Sequence, residues 1–247
     1  MISAVIITKN EEKMLAKCLK SLGFVDEILL VDTGSTDKTI QIAKKHKARV
    51  IKFSSGKNFS DWRNKGLKEA AHEIVLYVDA DERITSKLAE EIKAVDFDCS
   101  CYAIPRRNIV LGQELKHGGW YPDYQKRLFV KAKLKGWHGD LHEEPKFEGK
   151  LGHLKNPMLH IKHETFAEMV DKTNIWSEYE AKLMYDAKHP KMNILRFISA
   201  MLREFWHRMI IKRAFLDGKI GIMFALYQVF SRFVSYAKLW EMQVDKK

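Results

Sequence analysis

The sequence lacks the patterns that mark several common classes of protein. Its three cysteines, Cys18, Cys99 and Cys101, form neither an even disulfide framework nor the paired Cys-x-x-Cys motifs of a zinc site. It contains no G-x-G-x-x-G and no G-x-x-x-x-G-K-[ST] motif, so neither a dinucleotide-binding fold nor a P-loop is indicated. Internal repeats and low-complexity tracts are also absent. The sparse cysteines favour a reducing cytoplasm as the location.

The length and composition are those of a globular protein that favours anionic partners. At 247 residues, the chain can form one large α/β domain, or a domain of ordinary size with an appended module. The net charge of +11 favours nucleotides, nucleic acid or acidic lipid as partners. Residues 1–8 lack a basic n-region, and we interpret them as a first strand and not as a signal peptide.

The first hundred residues alternate between apolar runs and segments with helical spacing. This alternation predicts an α/β fold with a mostly parallel sheet and helices on both faces. Asn10 is predicted to cap the first helix, and Thr165 to cap a later helix that extends to about Ala187. Residues 101–163 instead show short strands between Gly- and His-rich loops, which should shape the second half of a cleft. The predicted strands are 3–8, 27–32, 49–53 and 74–78, and the intervening helices are predicted to end near Leu22, Lys47 and Ala71.

Two carboxylates follow the last of these predicted strands. Asp79 and Asp81 are two residues apart, so an extended chain points both side chains the same way, towards one hard cation. In open α/β sheets the carboxyl ends of the strands carry the ligand site. A divalent ion there could hold a diphosphate. The alternative is a cluster of acids that complements the dipole of a helix beginning near Thr85.

Polar residues also follow the first and second predicted strands, and a doubly wound sheet can bring these strand ends to one crevice. Asn10 and Asp32 are suited to donate to and accept from base and ribose edges, and Gly34 lets the backbone pass close to a ligand. The alternative for Asn10 and Ser35 is plain helix capping. The residues expected at this edge are Thr8, Asn10, Glu11, Asp32 and the turn 34–37.

The segment 192–247 differs in kind from the rest of the chain. It carries ten Lys or Arg residues and four acidic residues, so more than half of the excess charge lies here. Apolar residues recur at three- and four-residue steps from Ile194 to Met209, and a second apolar helix is predicted from Ile220 to Trp240. Polar residues interrupt that helix, whereas a spanning helix needs about twenty residues with almost no charge. We predict an interfacial helix pair on anionic lipid; the alternative is packing on the α/β domain or a dimer.

Four motifs follow one another in the first hundred residues, at 4–12, 28–37, 62–66 and 78–82. Their content and order resemble the inverting glycosyltransferases of family 2, which have the GT-A fold. Further segments, at 120–123, 126–129, 141–144, 215–219 and 236–241, resemble the small bacterial lipopolysaccharide-core enzymes that add a β-linked glucose to the inner-core heptose. This second resemblance runs nearly end to end. One departure is Thr33, where many relatives have Asp, so nucleotide contact there rests on Asp32.

The resemblance implies a UDP-sugar donor, a Mg²⁺ or Mn²⁺ cofactor and a lipid-linked saccharide acceptor. Asp81 would bind the metal that bridges both phosphates and neutralises charge on the departing UDP. Inversion also needs a general base that takes the proton of the acceptor hydroxyl. The implied donor-binding residues are Thr8, Asn10, Glu11 and Asp32 at the uracil side, Arg63 near the nucleotide or its phosphates, and Asp79 at the ribose or the metal.

Glu143 is the candidate for the general base. It lies in the loop-rich segment 136–145, which combines acids with Trp and Gly, and it matches the carboxylate that the resembling enzymes place after their second set of strands. Asp123, Asp140 and Glu144 are rivals, and a solvated acidic loop is the structural alternative. Three aromatic residues could stack on sugar rings or pack beneath the loops, and two histidines could supply an extra metal or diphosphate ligand. These are Trp120, Tyr121 and Trp137, and His160 and His163.

The expected organisation is a GT-A domain over residues 1–190 and a helical, membrane-associated extension over 191–247. Residues 1–100 would form the nucleotide-binding half, and 101–190 the acceptor half. The expected location is the inner face of the cytoplasmic membrane, with a homo-oligomer possible and nucleic acid not a partner. The alternatives are a transferase that uses another nucleotide-sugar for a different envelope glycan, a basic nucleic-acid-binding protein, and a sugar-nucleotide pyrophosphorylase. The last would carry a glycine-rich loop after the first strand, where Thr8-Lys9-Asn10-Glu11 has no glycine.

Overall fold

The structure is a computed structural model, and it describes residues 1–139 and 143–244. The chain divides into two compact units. The first comprises residues 1–106 and 123–160, and the second comprises 107–122 with the chain from 161 onward. The expected boundary at residue 190 stays a prediction; the compact units differ from it because residues 161–190 group with the C-terminal helices.

The first unit begins with the alternation that the sequence predicts. Up to residue 106, its elements in chain order are β1 (Ile2–Thr8), α1 (Leu15–Ser21), β2 (Glu27–Asp32), α2 (Thr39–Lys45), β3 (Arg49–Lys52), α3 (Phe59–Glu69), β4 (Ile74–Tyr77), β5 (Glu82–Arg83), α4 (Ser86–Lys93) and the start of β6 (Cys101–Val110). The next strand, β7 (Gln113–Leu115), belongs to the second unit. The first unit then continues with β8 (Asp123–Val130), β9 (Leu134–His138), β10 (Glu144–Phe147), β11 (Leu151–His153) and the start of β12 (Met158–His163).

The sheet of the first unit has the strand order β3-β2-β1-β4-β8-β6-β12-β5. It is parallel from β3 to β4 and turns antiparallel at β8, which pairs with both β4 and β6. Because β1 is buried on both faces, alternate residues pack on opposite layers: Ala4 and Ile6 face α1, α2 and α4, whereas Val5 faces the layer of α3 and β9. The predicted fold class, a mostly parallel sheet flanked by helices, is confirmed.

The second unit is built on three helices, α5 (Phe166–Asp186), α6 (Ile194–Phe205) and α7 (Gly218–Val244), together with the end of β6 paired to β7. Thr165 caps α5 as predicted, since its Oγ1 accepts from the backbone N–H of Glu168 at 3.2 Å. Met169 of α5 packs with Phe224 of α7, and Leu239 of α7 packs with Ala181 of α5. The helices of the predicted C-terminal extension are therefore present, and α5 shares their core.

The segment from Ala214 to Val244 is long and apolar enough to span a membrane, by length and composition alone. Within the unit, however, α7 makes polar contacts with its neighbours. Ser235 donates to Glu180 of α5 at 2.7 Å, and Arg232 lies 3.5 Å from Glu204 of α6. These contacts are typical of a helix in a bundle, so α7 gives only weak support for a spanning segment.

Candidate active site

The loops after β1 and β2 are tied together by reciprocal hydrogen bonds. The backbone N–H of Asn10 donates to Ser35 Oγ at 3.0 Å, and Asn10 Oδ1 accepts from the N–H of Thr36 at 2.8 Å. The N–H of Glu11 donates to Thr39 Oγ1 at 2.7 Å. The predicted capping of the first helix by Asn10 is wrong: α1 begins only at Leu15, because Asn10 has a φ of 57° and uses its side chain to hold the neighbouring loop.

Asp32 and Thr8 lie at the ends of paired strands, in register with each other. Both are 2% exposed. The Asp32 carboxylate accepts from the N–H groups of Gly34 and Ser35, each at 3.2 Å, and Gly34 has a φ of 114° that favours glycine. Asp32 thus shapes the turn that closes this edge of the sheet. Its contact with a nucleotide remains a prediction.

Asp79, at the end of β4, is held by two arginines. Its carboxylate lies 3.2 Å from Arg63 Nη2 and accepts from Arg127. Burial by itself would raise the pKa of Asp79, but the charges of Arg127 and Arg63 outweigh that effect and keep the pKa well below its usual range. Asp79 is therefore ionised at neutral pH, although its charge is already balanced by guanidinium groups.

Behind Asp79 lies a fully buried carboxylate, Glu82, which was not among the predicted site residues. Glu82 accepts from Arg127 at 2.8 Å and lies 3.4 Å from Arg106, while its second oxygen accepts from the N–H of Asp79 at 2.9 Å. Arg106 also pairs with Asp123 at 2.8 Å. A buried carboxylate is tolerated only with such partners, because desolvation without them is costly. Burial by itself would lower the pKa of Arg127, but the negative charges of Asp79 and Glu82 outweigh that effect, so the pKa lies above its usual range.

Arg63 connects this network to the candidate base. It lies on α3, whose buried face is formed by Ser60, Arg63 and Gly66 at three-residue steps. Its Nε donates to Glu143 Oε1 at 2.9 Å, and its guanidinium stacks 4.7 Å from the centre of the Trp137 ring. Its Nη1 is buried and has no hydrogen-bond partner among residues 1–139 and 143–244. A donor in that state is suited to an anionic group of a ligand.

Glu143, Asp79 and Arg63 line one cavity of about 310 Å³. The Glu143 side chain is 16% exposed, as expected for a group that is held in place yet accessible. Of its rivals, Glu144 is 72% exposed and pairs with Lys126, and Asp123 is engaged by Arg106. Asp140 lies outside the described residues. The rival Glu144 lines the same cavity. The other lining residues are Arg106, Tyr124, Gln125, Lys126, Arg127, Trp137 and Pro145.

Asp81 is brought next to one of the two candidate histidines. His160 Nε2 lies 3.4 Å from Asp81 Oδ2, because β12 pairs with β5 directly after the Asp79–Asp81 segment. His163 belongs to the second unit, where its ring lies 6.0 Å from that of Phe224. In the described residues, no three His, Cys, Asp or Glu side chains form a group that could hold a metal. A carboxylate oxygen and an imidazole nitrogen are nevertheless suitable ligands for Mn²⁺, and diphosphate oxygens can supply the remaining positions.

The aromatic residues divide between the units. Trp137 is buried under Arg63 and is fixed there by Asn64, whose side chain bonds both the N–H and the carbonyl of Trp137. Trp120 and Tyr121 belong to the second unit, and Trp120 packs on Phe224 with ring centres 5.0 Å apart. Both tryptophans therefore pack within their units, which agrees with the interpretation that such residues lie beneath the loops.

A family model described as glycosyl transferase family 2 matches residues 3–145, more than half of the chain. The chain belongs to glycosyl transferase family 2. The match begins in β1 and ends in β10, so it contains Asp32, Arg63, Asp79 and Glu143. The protein is accordingly a glycosyltransferase, as the sequence motifs suggested.

Relatives of this family-2 transferase cover its full length. An uncharacterized glycosyltransferase of Rickettsia typhi is 27% identical over 273 aligned residues, which span 100% of this chain and 89% of the relative. The lipopolysaccharide core biosynthesis glycosyltransferase LpsC of Rhizobium meliloti is 25% identical over 265 residues, which span 99% and 94% of the two chains. Among solved structures, that of S. aureus TarS 1–349 in complex with UDP-GlcNAc superposes on this chain with a TM-score of 0.50. The two sequences are 16% identical, and the match covers 100% of this chain and 92% of the TarS chain. This likeness shows the GT-A fold.

Proposed function

We propose that this transferase moves a sugar, with glucose the expected one, from UDP to a lipid-linked saccharide, with inversion at the anomeric carbon. The observation that carries the proposal is the cavity where Arg63 contacts both Asp79 and Glu143. UDP is the nucleotide bound to TarS, which shares the fold. Similarity to LpsC supports a lipopolysaccharide core as the acceptor class.

The chemistry assigns a separate task to each group. Glu143 takes the proton of the acceptor hydroxyl onto a carboxylate oxygen, while that hydroxyl oxygen bonds to the anomeric carbon and the bond to UDP breaks. Arg63 orients the Glu143 carboxylate. Its Nη1, which has no hydrogen-bond partner among the described residues, is the donor proposed for a phosphate oxygen. Thr8, Asn10, Glu11 and Asp32 are proposed to line the uracil side.

Asp81 and His160 would hold a Mg²⁺ or Mn²⁺ ion at the edge of the sheet. When bound, such an ion neutralises negative charge on the diphosphate leaving group. Asp79 is better suited to the ribose hydroxyls, since two arginines already balance its charge. Metal dependence is thus part of the proposal, and Mn²⁺ and Mg²⁺ are both candidates.

The test separates donor binding from transfer. In the intact chain, UDP with Mn²⁺ should raise the melting temperature, because a ligand that binds only the folded state stabilises it. Asp81→Ala should remove the part of this rise that depends on Mn²⁺. Glu143→Gln should keep the rise and lower sugar transfer by about a hundredfold or more.

Two substitutions serve as matched controls. Asp96→Ala and Glu148→Gln remove exposed carboxylates of the same types and should change neither readout. Normal turnover in Asp81→Ala or in Glu143→Gln would exclude that residue from the mechanism. A UDP-sugar that gives no thermal shift, with or without Mn²⁺, would contradict the assigned donor.

The second part of the proposal concerns location. We infer that the helical unit binds the inner face of the cytoplasmic membrane peripherally, where a lipid-linked acceptor is anchored. Support comes from its exposed apolar side chains and its share of the positive charge.

A further inference from the structure

Helix α6 has one packed face and one exposed apolar face. On the packed face, the Phe197 ring lies 5.1 Å from Phe233 and 5.6 Å from Trp240 of α7, and Ala200 is buried. The exposed face carries large apolar residues at three- and four-residue steps, which place them on one side of a helix. This apolar stripe consists of Ile194, Leu195, Ile198, Leu202 and Phe205.

A basic cavity of about 440 Å³ opens beside the apolar stripe. Arg196 and Arg203 line it from α6, seven residues apart and hence two turns along the same side of the helix. Leu195, which is 78% exposed, belongs both to the stripe and to the cavity wall. None of the other side chains described as lining the cavity is acidic. They are His189, Asn193, Ser199 and Tyr236.

We propose that this cavity, lined by Arg196, Ser199 and Arg203, binds the headgroup phosphate of an anionic membrane lipid. The charge is complementary, and guanidinium groups recognise phosphate oxygens. The Ser199 hydroxyl lines the cavity but already donates to the carbonyl of Arg196 at 2.9 Å, so the two arginines are the proposed donors. The apolar stripe beside the cavity is placed to enter the acyl boundary of the same bilayer. The site deepens the proposed membrane location, on which it rests, by naming the residues and the lipid chemistry.

The geometry distinguishes a site from diffuse attraction. The Arg196 guanidinium is held in place, since its Nη1 donates to the carbonyl of Lys191. Asn193 caps α6, since its Oδ1 accepts from the backbone N–H of Arg196 at 2.9 Å. A fixed guanidinium favours a phosphate in one position, whereas a surface lysine attracts any anion. Substitution by lysine should therefore weaken a site but leave diffuse attraction intact.

The experiment measures binding of the full chain to vesicles, without donor or acceptor. The probes are vesicles of phosphatidylcholine alone and vesicles in which phosphatidylglycerol replaces part of it. Wild type should bind the anionic vesicles, and Arg196→Gln/Arg203→Gln should bind them about thirtyfold more weakly, at about fivefold for each arginine near an anionic surface. Arg196→Lys/Arg203→Lys should fall between the two, and Leu195→Ser/Leu202→Ser should also bind more weakly.

Three outcomes would overturn the proposal. One is equal loss of binding in Lys44→Gln/Lys45→Gln, which removes two exposed charges from α2 of the first unit. Another is full binding by the arginine-to-lysine double variant. The third is a combination of two results: inorganic phosphate shifts the melting temperature only when both arginines are present, and vesicle binding is the same without them. That combination would make free phosphate the ligand.

Folding and function are monitored separately. Arg203→Gln alone leaves the contact of Arg196 with Lys191 intact, so it tests the cavity if the double variant unfolds. The UDP and Mn²⁺ thermal shift reports on the first unit and needs no lipid. Absence of vesicle binding by wild type, with a normal nucleotide shift, would refute the membrane location and the lipid site with it. Full binding by both arginine double variants would refute the lipid site alone, and vesicle binding without a nucleotide shift would refute the donor assignment alone.

Discussion

Removing Arg127 should cost the protein much of its stability, because this guanidinium holds two carboxylates inside the first unit. Arg127 is 4% exposed and donates to both Asp79 and Glu82. Loss of one partner from a buried ion pair costs about 3–5 kcal/mol, since an uncompensated charge is left behind. Arg63 and Arg106 still reach the two carboxylates, so we expect about 3 kcal/mol for Arg127→Met.

For a chain of this size, 1 kcal/mol corresponds to about 2–4 °C in melting temperature, so the expected fall is about 6–12 °C. Urea-induced unfolding of the full chain, followed by circular dichroism, measures the free energy directly. The control is Arg49→Met, because the Arg49 side chain is 45% exposed where it pairs with Glu27. Exposed pairs contribute about 1 kcal/mol or less, so the control should lose much less stability than Arg127→Met.

The pH dependence gives a second measure. The folded-state pKa of Asp79 lies below its unfolded value of about 3.9, so the stability from this pairing is complete above that pH. It is lost as the pH falls through the lower, folded-state pKa. The difference between wild type and Arg127→Met should therefore be constant from pH 7 to about 5 and shrink below about 4. Equal urea midpoints at pH 7, or a gap that widens in acid, would refute the reasoning.

Two other substitutions probe packing in each unit. In Gly66→Ala, the new Cβ would lie 2.4 Å from Val5 Cγ1 at the contact of α3 with β1. We therefore expect the free energy of unfolding in urea to fall by about 1–3 kcal/mol, and the additional substitution Val5→Ala to restore part of it. An unchanged urea midpoint would contradict this close approach. In Asp217→Ala, the N–H groups of Lys116 and His117 lose the carboxylate that accepts them at 2.9 and 2.7 Å, and hydrogen exchange at these two amides should accelerate. Asp217→Asn should exchange at an intermediate rate, and wild-type rates in both variants would exclude the carboxylate as the cause.

Strands β1, β2 and β4 of the first unit could be predicted because their physical signal is local. A strand buried on both faces must be apolar along its whole length, and Ile28–Val31 and Ile74–Val78 are. Thr165 was predictable for a similar reason, since a capping side chain bonds a backbone group three residues away. In these places the sequence and the structure agree within a few residues at each end.

The buried charge network could not be predicted, because its members are distant in sequence. Glu82 and Arg127 meet only because β8 pairs antiparallel with β4, so that residues near the end of β4 lie beside the middle of β8. The available signal was a charged residue directly before the apolar run Leu128–Val130, which is unusual for a buried strand. The prediction that Asn10 caps the first helix was wrong for a related reason, since its hydrogen-bond partners Ser35 and Thr36 lie in another loop.

The same network separates the two aspartates that the sequence could only treat as a pair. Asp79 is 34% exposed, yet both its oxygens face arginines, so a cation bound there would have to compete with two guanidinium groups. Asp81 lies beside His160, whose imidazole nitrogen can itself act as a ligand. Electrostatics therefore favours Asp81 as the metal ligand and leaves Asp79 to hydrogen-bond a neutral group such as a ribose hydroxyl. Arg63 contacts both Asp79 and Glu143, so in the proposed mechanism one guanidinium would hold the ribose-binding carboxylate and the proposed base together.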